Sequence, residues 1–258
     1  MLAVMASAAS VRVEGNLPAK LKGALEGLLD ALLPAHCLLC GLPSGRSRLC
    51  PTCSGDLPRP ARACERCALP LARSRERACC DRCLLRPPPW NRAVSATLYG
   101  FPADILVQRF KFHRDLGCGA LLAQELLSAL ESRRPPLPDA IVPVPLHRSR
   151  LLSRTFNQAD VLARSLGKAL GLPVQSRLLQ RRRRTRAQSG LDASARARNV
   201  RGAFSLRRRT ARGPLPRHVA LVDDVLTTGV TLSECCRTLR RAGARELSVW
   251  VAARALDP

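Results

Sequence analysis

Two adjacent acids and a threonine-rich loop are the residues of this chain best suited to chemistry on a ligand. Asp223 and Asp224 follow the apolar stretch 219–222. The loop positions come next: Thr227, Thr228, Gly229 and Thr231. Hydroxyls and free backbone N–H groups of such a loop can hold phosphate, and the carboxylates can accept hydrogen bonds from a neighbouring diol. A phosphorylated ribose carries both groups. The alternative is an ordinary buried strand that enters a helix, but two like charges kept side by side argue against it.

The elements around these residues are predicted to form one edge of an α/β sheet. The apolar run before Asp223 has the length of a buried strand, and a helix is predicted from Thr231 toward Arg241, with its positive end at the loop. Residues 140–144 form a second predicted buried strand, and basic and amide side chains follow it: His147, Arg148, Arg150, Arg154, Asn157 and Gln158. Ligands of open α/β sheets bind outside the carboxyl ends of the strands, so we expect both groups to face one ligand.

Nine of the twelve cysteines lie between residues 37 and 83. Eight of them form four Cys-x2-Cys pairs, and Cys79 stands beside the last pair: Cys37 and Cys40, Cys50 and Cys53, Cys64 and Cys67, Cys80 and Cys83. Each pair can offer two thiolates to one tetrahedral zinc, and two pairs complete a site. The sequence therefore predicts two structural zinc sites, built on short β-ribbons. It leaves open whether the pairs combine in sequence order or interleave.

A disulfide scaffold is the alternative for these cysteines. No apolar run reaches the length of a transmembrane helix, and the first residues lack a basic secretory leader. We therefore expect a cytoplasmic protein without stable membrane insertion, whose thiols stay reduced. A cysteine module of this size with few aromatic residues needs its metal to fold.

The chain is strongly basic, with 43 Lys plus Arg against 19 Asp plus Glu and a net charge of +24. A polyanionic partner explains this excess, and so does the arginine-rich coding of a GC-rich genome. Between Arg177 and Arg212 there are thirteen Arg and one acid, which predicts a mobile basic loop or ribbon that lasts until residues 200–206. Residues 109–114 interleave cations with Phe110 and Phe112. Such rings can stack on single-stranded nucleic acid, although the position near a helix end favours a core role for at least one of them.

The chain is predicted to contain three parts. Residues 1–34 include a short amphipathic helix over 17–33, and residues 35–90 form the cysteine module. A stretch of three prolines before Trp90 ends that module and is expected to leave its core independent of the rest. Residues 91–258 form a doubly wound, mostly parallel α/β domain.

The segment DDVLTTGVT resembles the fingerprint of type I phosphoribosyltransferases. More of the chain is similar to one branch of that superfamily, the ComF proteins: the cysteine module, PPPW, a lysine-containing KF segment, VPVP with FNQ, a T-x2-Q-x2-L pattern, RNV-x2-AF and DDVxTTG. The family commonly has Gly before FNQ, where this chain has Thr155.

The resemblance implies binding of 5-phosphoribosyl 1-diphosphate (PRPP) with Mg2+, and a role in DNA uptake in competent bacteria. It implies catalytic roles for Asp223, Asp224, Arg184 and Gln188. It implies substrate-binding roles for Thr227, Thr228, Gly229, Val230, Thr231, Arg154, Asn157 and Gln158. It also implies single-stranded DNA and competence or helicase proteins as partners.

Two classes of function follow from these features. The first is an enzyme that displaces diphosphate from a ribosyl carbon, with the basic loop closing over the reacting centre to exclude water. The second is a nucleic-acid handling protein that keeps the pocket as a ligand sensor or scaffold. A third interpretation, a zinc-stabilised interaction protein with a degenerate fold, does not account for the intact loop.

Overall fold

The computed structural model describes residues 35–45, 47–72, 77–183, 200–207 and 215–256. Its contacts divide the chain into two compact units, Met1–Asp56 and Leu57–Pro258. The predicted helix over 17–33 and most of the predicted basic loop lie outside the described residues.

The first unit contains one small cysteine ribbon. Strands β1 (Ala35–His36) and β2 (Pro43–Gly45) pair antiparallel, and helix α1 (Pro51–Gly55) follows. The helix starts with Cys50 as its N-cap and Pro51 just inside it, where a missing N–H group has no cost. This ribbon thus includes a short helix, whereas the sequence favoured short β-ribbons over helices.

The second unit begins with a similar ribbon and continues into the large domain. The ribbon holds an isolated bridge between Ala63 and Pro70 and helix α2 (Asp81–Leu85), with Cys80 as N-cap. The later elements are, in chain order, β3 (Arg92–Tyr99), α3 (Ala103–Phe112), α4 (Leu116–Arg133), β4 (Ala140–Pro143), α5 (Arg148–Arg154), α6 (Gln158–Leu170), β5 (Leu179–Arg181), β6 (Phe204–Leu206), β7 (His218–Leu226), α7 (Val230–Arg241) and β8 (Glu246–Ala255).

Four of these strands form a parallel sheet in the order β3-β8-β7-β4. The central strand β8 escaped the sequence analysis, although its apolar run has the composition of a buried strand. Next to β4, a single isolated parallel bridge joins Ile141 and Val174. Strands β5 and β6 pair antiparallel outside the main sheet.

Helices cover both faces of the sheet, which confirms the doubly wound fold. All four residues 219–222 of β7 are fully buried, and successive side chains of a strand point to opposite faces. Helix α4 packs on β3, and α6 packs on β4 and β7. On α7, Leu232 and Leu239 share a core cluster with Leu221 and Val249.

The proline stretch before Trp90 does not separate two cores. Trp90 and Ala68 belong to the same buried cluster as Leu221. The backbone N–H of Ala93 also donates to the carbonyl of Glu65, at 2.7 Å. The expectation of an independent cysteine module is therefore wrong for its second half. This ribbon is small and shares the apolar core of the sheet instead of building its own.

Candidate functional site

The eight predicted zinc ligands form two separate groups, combined in sequence order. One group is Cys37, Cys40, Cys50 and Cys53, and the other is Cys64, Cys67, Cys80 and Cys83. Within each group the sulfur atoms all lie within 4.8 Å of one another. Cys79 packs beside the second group without belonging to it. The disulfide alternative is not supported, because all of these cysteines are free.

Both groups have the dimensions of a tetrahedral zinc site. The Sγ atoms of Cys40 and Cys50 lie 3.8 Å apart, and those of Cys67 and Cys80 lie 3.6 Å apart. Two sulfurs bound to one zinc at 2.3 Å stand about 3.8 Å apart in tetrahedral geometry. Four sulfurs leave no coordination position for water, so the two sites are suited to structural Zn2+.

The protonation of the second group favours a bound cation. Hydrogen bonding from the Cys67 side chain lowers the pKa of Cys64 to about 4, although burial opposes this shift. The same hydrogen bond and burial raise the pKa of Cys67. Further thiolates would repel the first one, so complete deprotonation of the group requires a metal ion.

A cavity of about 630 Å³ opens at the carboxyl ends of β4 and β7. It brings together the side chains that follow the two strands, as the sequence analysis expected. Its polar, charged and loop residues include Lys111, Arg150, Arg154, Asn157, Gln158, Arg181, Asp223, Asp224, Thr227, Gly229, Val230 and Thr231. Thr228 is the one predicted loop residue among those described that does not line it. Arg184 and Gln188 lie outside the described residues.

The two acids at the end of β7 differ in their surroundings. Asp224 is buried, and its Oδ2 lies 3.1 Å from Nζ of Lys111. Burial and the neighbouring charge of Asp224 raise the pKa of Asp223 to about 7, and the cations Lys111 and Arg181 offset only part of this shift. Asp223 is therefore poised to ionise when a ligand brings positive charge or hydroxyl donors.

The loop after the acids makes a left-handed turn into helix α7. Gly229 is the N-cap of α7 and has a φ of +74°, a left-handed conformation that glycine adopts without strain. A Cβ atom at this position would lie 2.8 Å from the Trp90 ring, so glycine is also required for space. Val230 and Thr231, the first residues of α7, line the cavity, so the positive end of the helix dipole lies at its wall.

The amide residues on the β4 side hold the backbone in place. Asn157 Nδ2 donates to the carbonyl of Val144 at 3.0 Å, and its Oδ1 accepts from the N–H of Ala159 and caps α6. Gln158 is buried, and its Nε2 lies 3.4 Å from the carbonyl oxygen of Lys111. Both residues line the cavity, and these hydrogen bonds shape its wall.

Thr155 has a φ of +67° at the end of α5. The ComF resemblance gives glycine at this position, and the left-handed backbone explains why glycine suits it. Here a β-branched residue occupies the same turn, with its hydroxyl donating to the carbonyl of Arg154 at 2.6 Å. The turn is kept despite the substitution.

Three cavity residues have contacts that sequence reasoning did not assign. Lys111 pairs with Asp224 from a different element, α3. Arg181 is buried, and its guanidinium lies 5.3 Å from the centre of the Phe204 ring. Phe112 is 64% exposed with Arg154 5.5 Å from its ring centre, whereas Phe110 is fully buried. The expected core role therefore holds for Phe110. The sequence signals for Lys111 were the KF pair and the interleaved cations of residues 109–114, and the signal for Arg181 was the arginine run that it opens.

The fold and the cysteine groups define an α/β protein with a four-stranded parallel sheet and two four-cysteine groups before it in the chain. The double zinc ribbon domain family matches residues 28–84. The chain is 39% identical to DNA utilization protein YhgH of Salmonella typhi over 87% of its own length and 99% of that protein. It is 40% identical to competence protein F of Haemophilus influenzae over 68% of this chain and 78% of that one.

The chain belongs to the family of DNA utilization protein YhgH and competence protein F. A solved structure of glutamine phosphoribosylpyrophosphate amidotransferase from B. subtilis, complexed with ADP and GMP, is 27% identical over 52% of this chain and 25% of that one, with a TM-score of 0.32. None of the helices in the described part of the chain is long and apolar enough to cross a membrane.

Proposed function

We propose that the chain binds PRPP together with Mg2+ and acts as a phosphoribosyltransferase in DNA uptake or nucleotide metabolism. One observation carries this proposal: the cavity joins two carboxylates at the end of β7 to a glycine-capped helix start a few residues later. A ribose 5-phosphate needs both parts at that spacing. Names of relatives that refer to DNA utilization and competence support the biological setting.

The phosphate end and the sugar end of the ligand would meet different groups. The 5-phosphate would lie at the start of α7, where the N–H groups, the Thr231 hydroxyl and the helix dipole favour an anion. Asp223 and Asp224 would accept hydrogen bonds from the ribose hydroxyls. Lys111, which neutralises Asp224 without ligand, would be free to turn to the diphosphate.

The diphosphate would face a basic wall. Arg150, Arg154 and Arg181 line the cavity, and their guanidinium groups suit phosphate oxygens. The carboxylate oxygens of Asp223 and Asp224 fit Mg2+, which prefers a few oxygen ligands beside phosphate. When bound, Mg2+ would neutralise part of the negative charge on the leaving diphosphate.

The proposed reaction breaks the bond between ribosyl C1 and the diphosphate oxygen, and the acceptor forms a new bond to C1. The bonding pair leaves with the diphosphate. Ionised Asp223 would favour the positive charge that develops on the ribosyl group.

Calorimetric titration of PRPP into the zinc-loaded protein tests the proposal. We expect binding that strengthens when Mg2+ is present, and competition by ribose 5-phosphate, since both ligands use the start of α7. Absence of heat with and without Mg2+, at concentrations up to the millimolar range, would defeat the proposal. A library of amine and base acceptors, screened for diphosphate release, then separates an enzyme from a sensor.

The raised pKa of Asp223 predicts an unusual pH dependence of stability. A carboxyl group whose folded-state pKa is about 7, against about 4 when unfolded, binds more protons in the folded state between these values. Its contribution to stability therefore falls as pH rises through that window. We expect the free energy of unfolding of wild type, relative to Asp223→Asn, to fall by on the order of 1 kcal/mol per pH unit between about pH 5 and 7.

Urea denaturation without ligand at a series of pH values measures this difference. Asp104→Asn is the matched control, because Asp104 is an acid of α3 outside the cavity. Its difference from wild type should not change across the same window. A flat difference for Asp223→Asn as well would show that Asp223 ionises at its ordinary pKa.

A nucleic-acid handling role is the second candidate, and the net charge of +24 favours it. Arg182 and Arg183 are exposed beside the buried Arg181. If exposed arginines bind single-stranded DNA, replacing both with Gln should flatten the log-log salt dependence of affinity by about 1.4, at about 0.7 per phosphate. Arg181→Gln should instead weaken PRPP binding and leave the salt slope unchanged, because its side chain lines the cavity.

Fluorescence anisotropy with a labelled oligonucleotide at several salt concentrations gives these slopes. Equal slopes for wild type and the Arg182→Gln, Arg183→Gln variant would remove these two residues from any DNA contact. A flatter slope for Arg181→Gln would contradict its assignment to the ligand cavity.

A further inference from the structure

One buried arginine connects the second cysteine group to residues 226–229, the turn between β7 and α7 that we call the phosphate loop. Arg254, near the end of β8, is only 3% exposed. Its Nε donates to the carbonyl of Cys67 at 2.8 Å. Its Nη1 donates to the carbonyls of Leu226 at 2.9 Å and Thr227 at 2.8 Å, and it also contacts the carbonyl of Ala255. A single guanidinium thus holds the cysteine knuckle at one end and the first residues of the loop at the other.

Trp90 forms a second connection between the same two places. Its Nε1 donates to the carbonyl of Arg66, inside the Cys64–Cys67 knuckle, at 2.6 Å. Its ring lies against Gly229, where an added Cβ would approach the ring to 2.8 Å. The left-handed turn of the loop therefore rests on a side chain that the knuckle orients.

The charge at this junction suits a metal group. Four thiolates around Zn2+ would carry a net negative charge, and Arg254 is a buried cation whose Nε contacts the carbonyl of the ligand residue Cys67. A buried cation is stable only with such compensation and with its N–H groups satisfied. An ordered knuckle therefore presents the Cys67 and Arg66 carbonyls at fixed positions, and the loop is fixed in turn.

We propose that Arg254 is a positioning residue through which the second zinc site sets the geometry of the phosphate loop. The inference takes its ligand, a 5-phosphate group, from the proposed function. The contacts from which it is argued do not depend on that function. It predicts that the affinity of the loop for phosphate and the retention of the second zinc are coupled. Coupling of this kind is reciprocal, so the ligand should also slow the loss of the metal.

Hydrogen exchange without ligand tests the positioning directly. In Arg254→Lys the charge remains, but one amine cannot replace a guanidinium that bridges carbonyls on opposite sides. We expect the amides of residues 226–233 to exchange about tenfold faster in this variant, since hydrogen bonds from a charged group are lost. Trp90→Phe, which keeps a ring but removes the donor to Arg66, should show a smaller increase in the same peptide.

Arg92→Ala is the matched control. Arg92 lies at the start of β3, and its Nη1 pairs with Glu65 of the same knuckle at 2.9 Å, without contact to the loop. The Arg92→Ala variant removes an ion pair between ribbon and sheet, yet it should leave the hydrogen exchange of the amides of residues 226–233 unchanged. Equal exchange in wild type, Arg254→Lys and Arg92→Ala would overturn the proposal. Equal acceleration in both variants would do so too, because it would show general loosening.

The ligand arm uses ribose 5-phosphate and inorganic diphosphate as separate probes. Arg254→Lys should weaken ribose 5-phosphate binding about tenfold or more, and leave diphosphate binding within about twofold of wild type. Ribose 5-phosphate should also slow the release of one of the two zincs to a chromogenic chelator in wild type and in Arg92→Ala, and not in Arg254→Lys. Equal weakening for both probes would refute the positioning role.

The two arms separate the failure of this inference from the failure of the proposed function. If wild type binds neither probe, the proposed ligand is wrong, and hydrogen exchange alone still decides whether Arg254 fixes the loop. If wild type and Arg254→Lys bind ribose 5-phosphate equally well, the proposed ligand site is supported and the positioning role of Arg254 is refuted.

Discussion

Replacing both acids, as Asp223→Asn with Asp224→Asn, is expected to lower the affinity for PRPP with Mg2+ by at least about 100-fold. Both carboxylates line the cavity, and each would lose a charge-assisted hydrogen bond to a ribose hydroxyl as well as its attraction for Mg2+. Asp223→Asn alone, which keeps the Lys111–Asp224 ion pair, should also bind more weakly but unfold at a temperature equal to or above that of wild type. Burial and the charge of Asp224 raise the pKa of Asp223, so the fold itself is destabilised by this pair of charges at neutral pH.

Calorimetry of both variants and thermal unfolding of Asp223→Asn measure the two effects. The opposite signs make the test sharp, because a damaged fold would lower both affinity and melting temperature. Asp104→Asn, outside the cavity, controls for the loss of an acid in general. Affinity within about threefold of wild type would show that the acids do not contact the ligand.

Loss of the second zinc is expected to have the largest effect on stability. Cys80→Ser should release one of two zincs and lower the free energy of unfolding of residues 57–258 by about 4 kcal/mol or more, as loss of a structural metal does. The reason is the shared core: Ala68 and Trp90 lie in one buried cluster with Leu221 and Leu232. From the sequence alone, the proline spacer predicted that this variant would leave the large domain folded.

Metal analysis by mass spectrometry and denaturation with urea check this prediction against two controls. Cys79→Ser removes the neighbouring thiol that stands outside the four-sulfur group, and should keep both zincs with nearly unchanged stability. Cys37→Ser should release the other zinc and leave the free energy of unfolding of residues 57–258 unchanged. A single zinc in wild type, or metal loss in Cys79→Ser, would contradict the ligand assignment.

The sequence by itself predicted both kinds of site and their ligand types. Four Cys-x2-Cys pairs predict two zinc sites because a tetrahedral metal imposes a local spacing on its ligands. The run from Asp223 to Thr231 predicts a phosphate loop because strand end, acids, glycine turn and helix start are consecutive in the chain. The family followed from these motifs and the FNQ and KF segments, and the relatives confirm it.

Only the tertiary structure decided which of these distant segments contact one another. Lys111 reaches Asp224 from a helix more than a hundred residues away, and no local pattern records such a pair. Phe110 and Phe112 differ in burial because of the surface against which α3 packs, not because of their residue type. Arg254 joins the Cys67 knuckle to Leu226 only because β8 lies beside β7 in the sheet. Contacts between distant segments depend on strand order and packing, and spacing along the chain does not encode them.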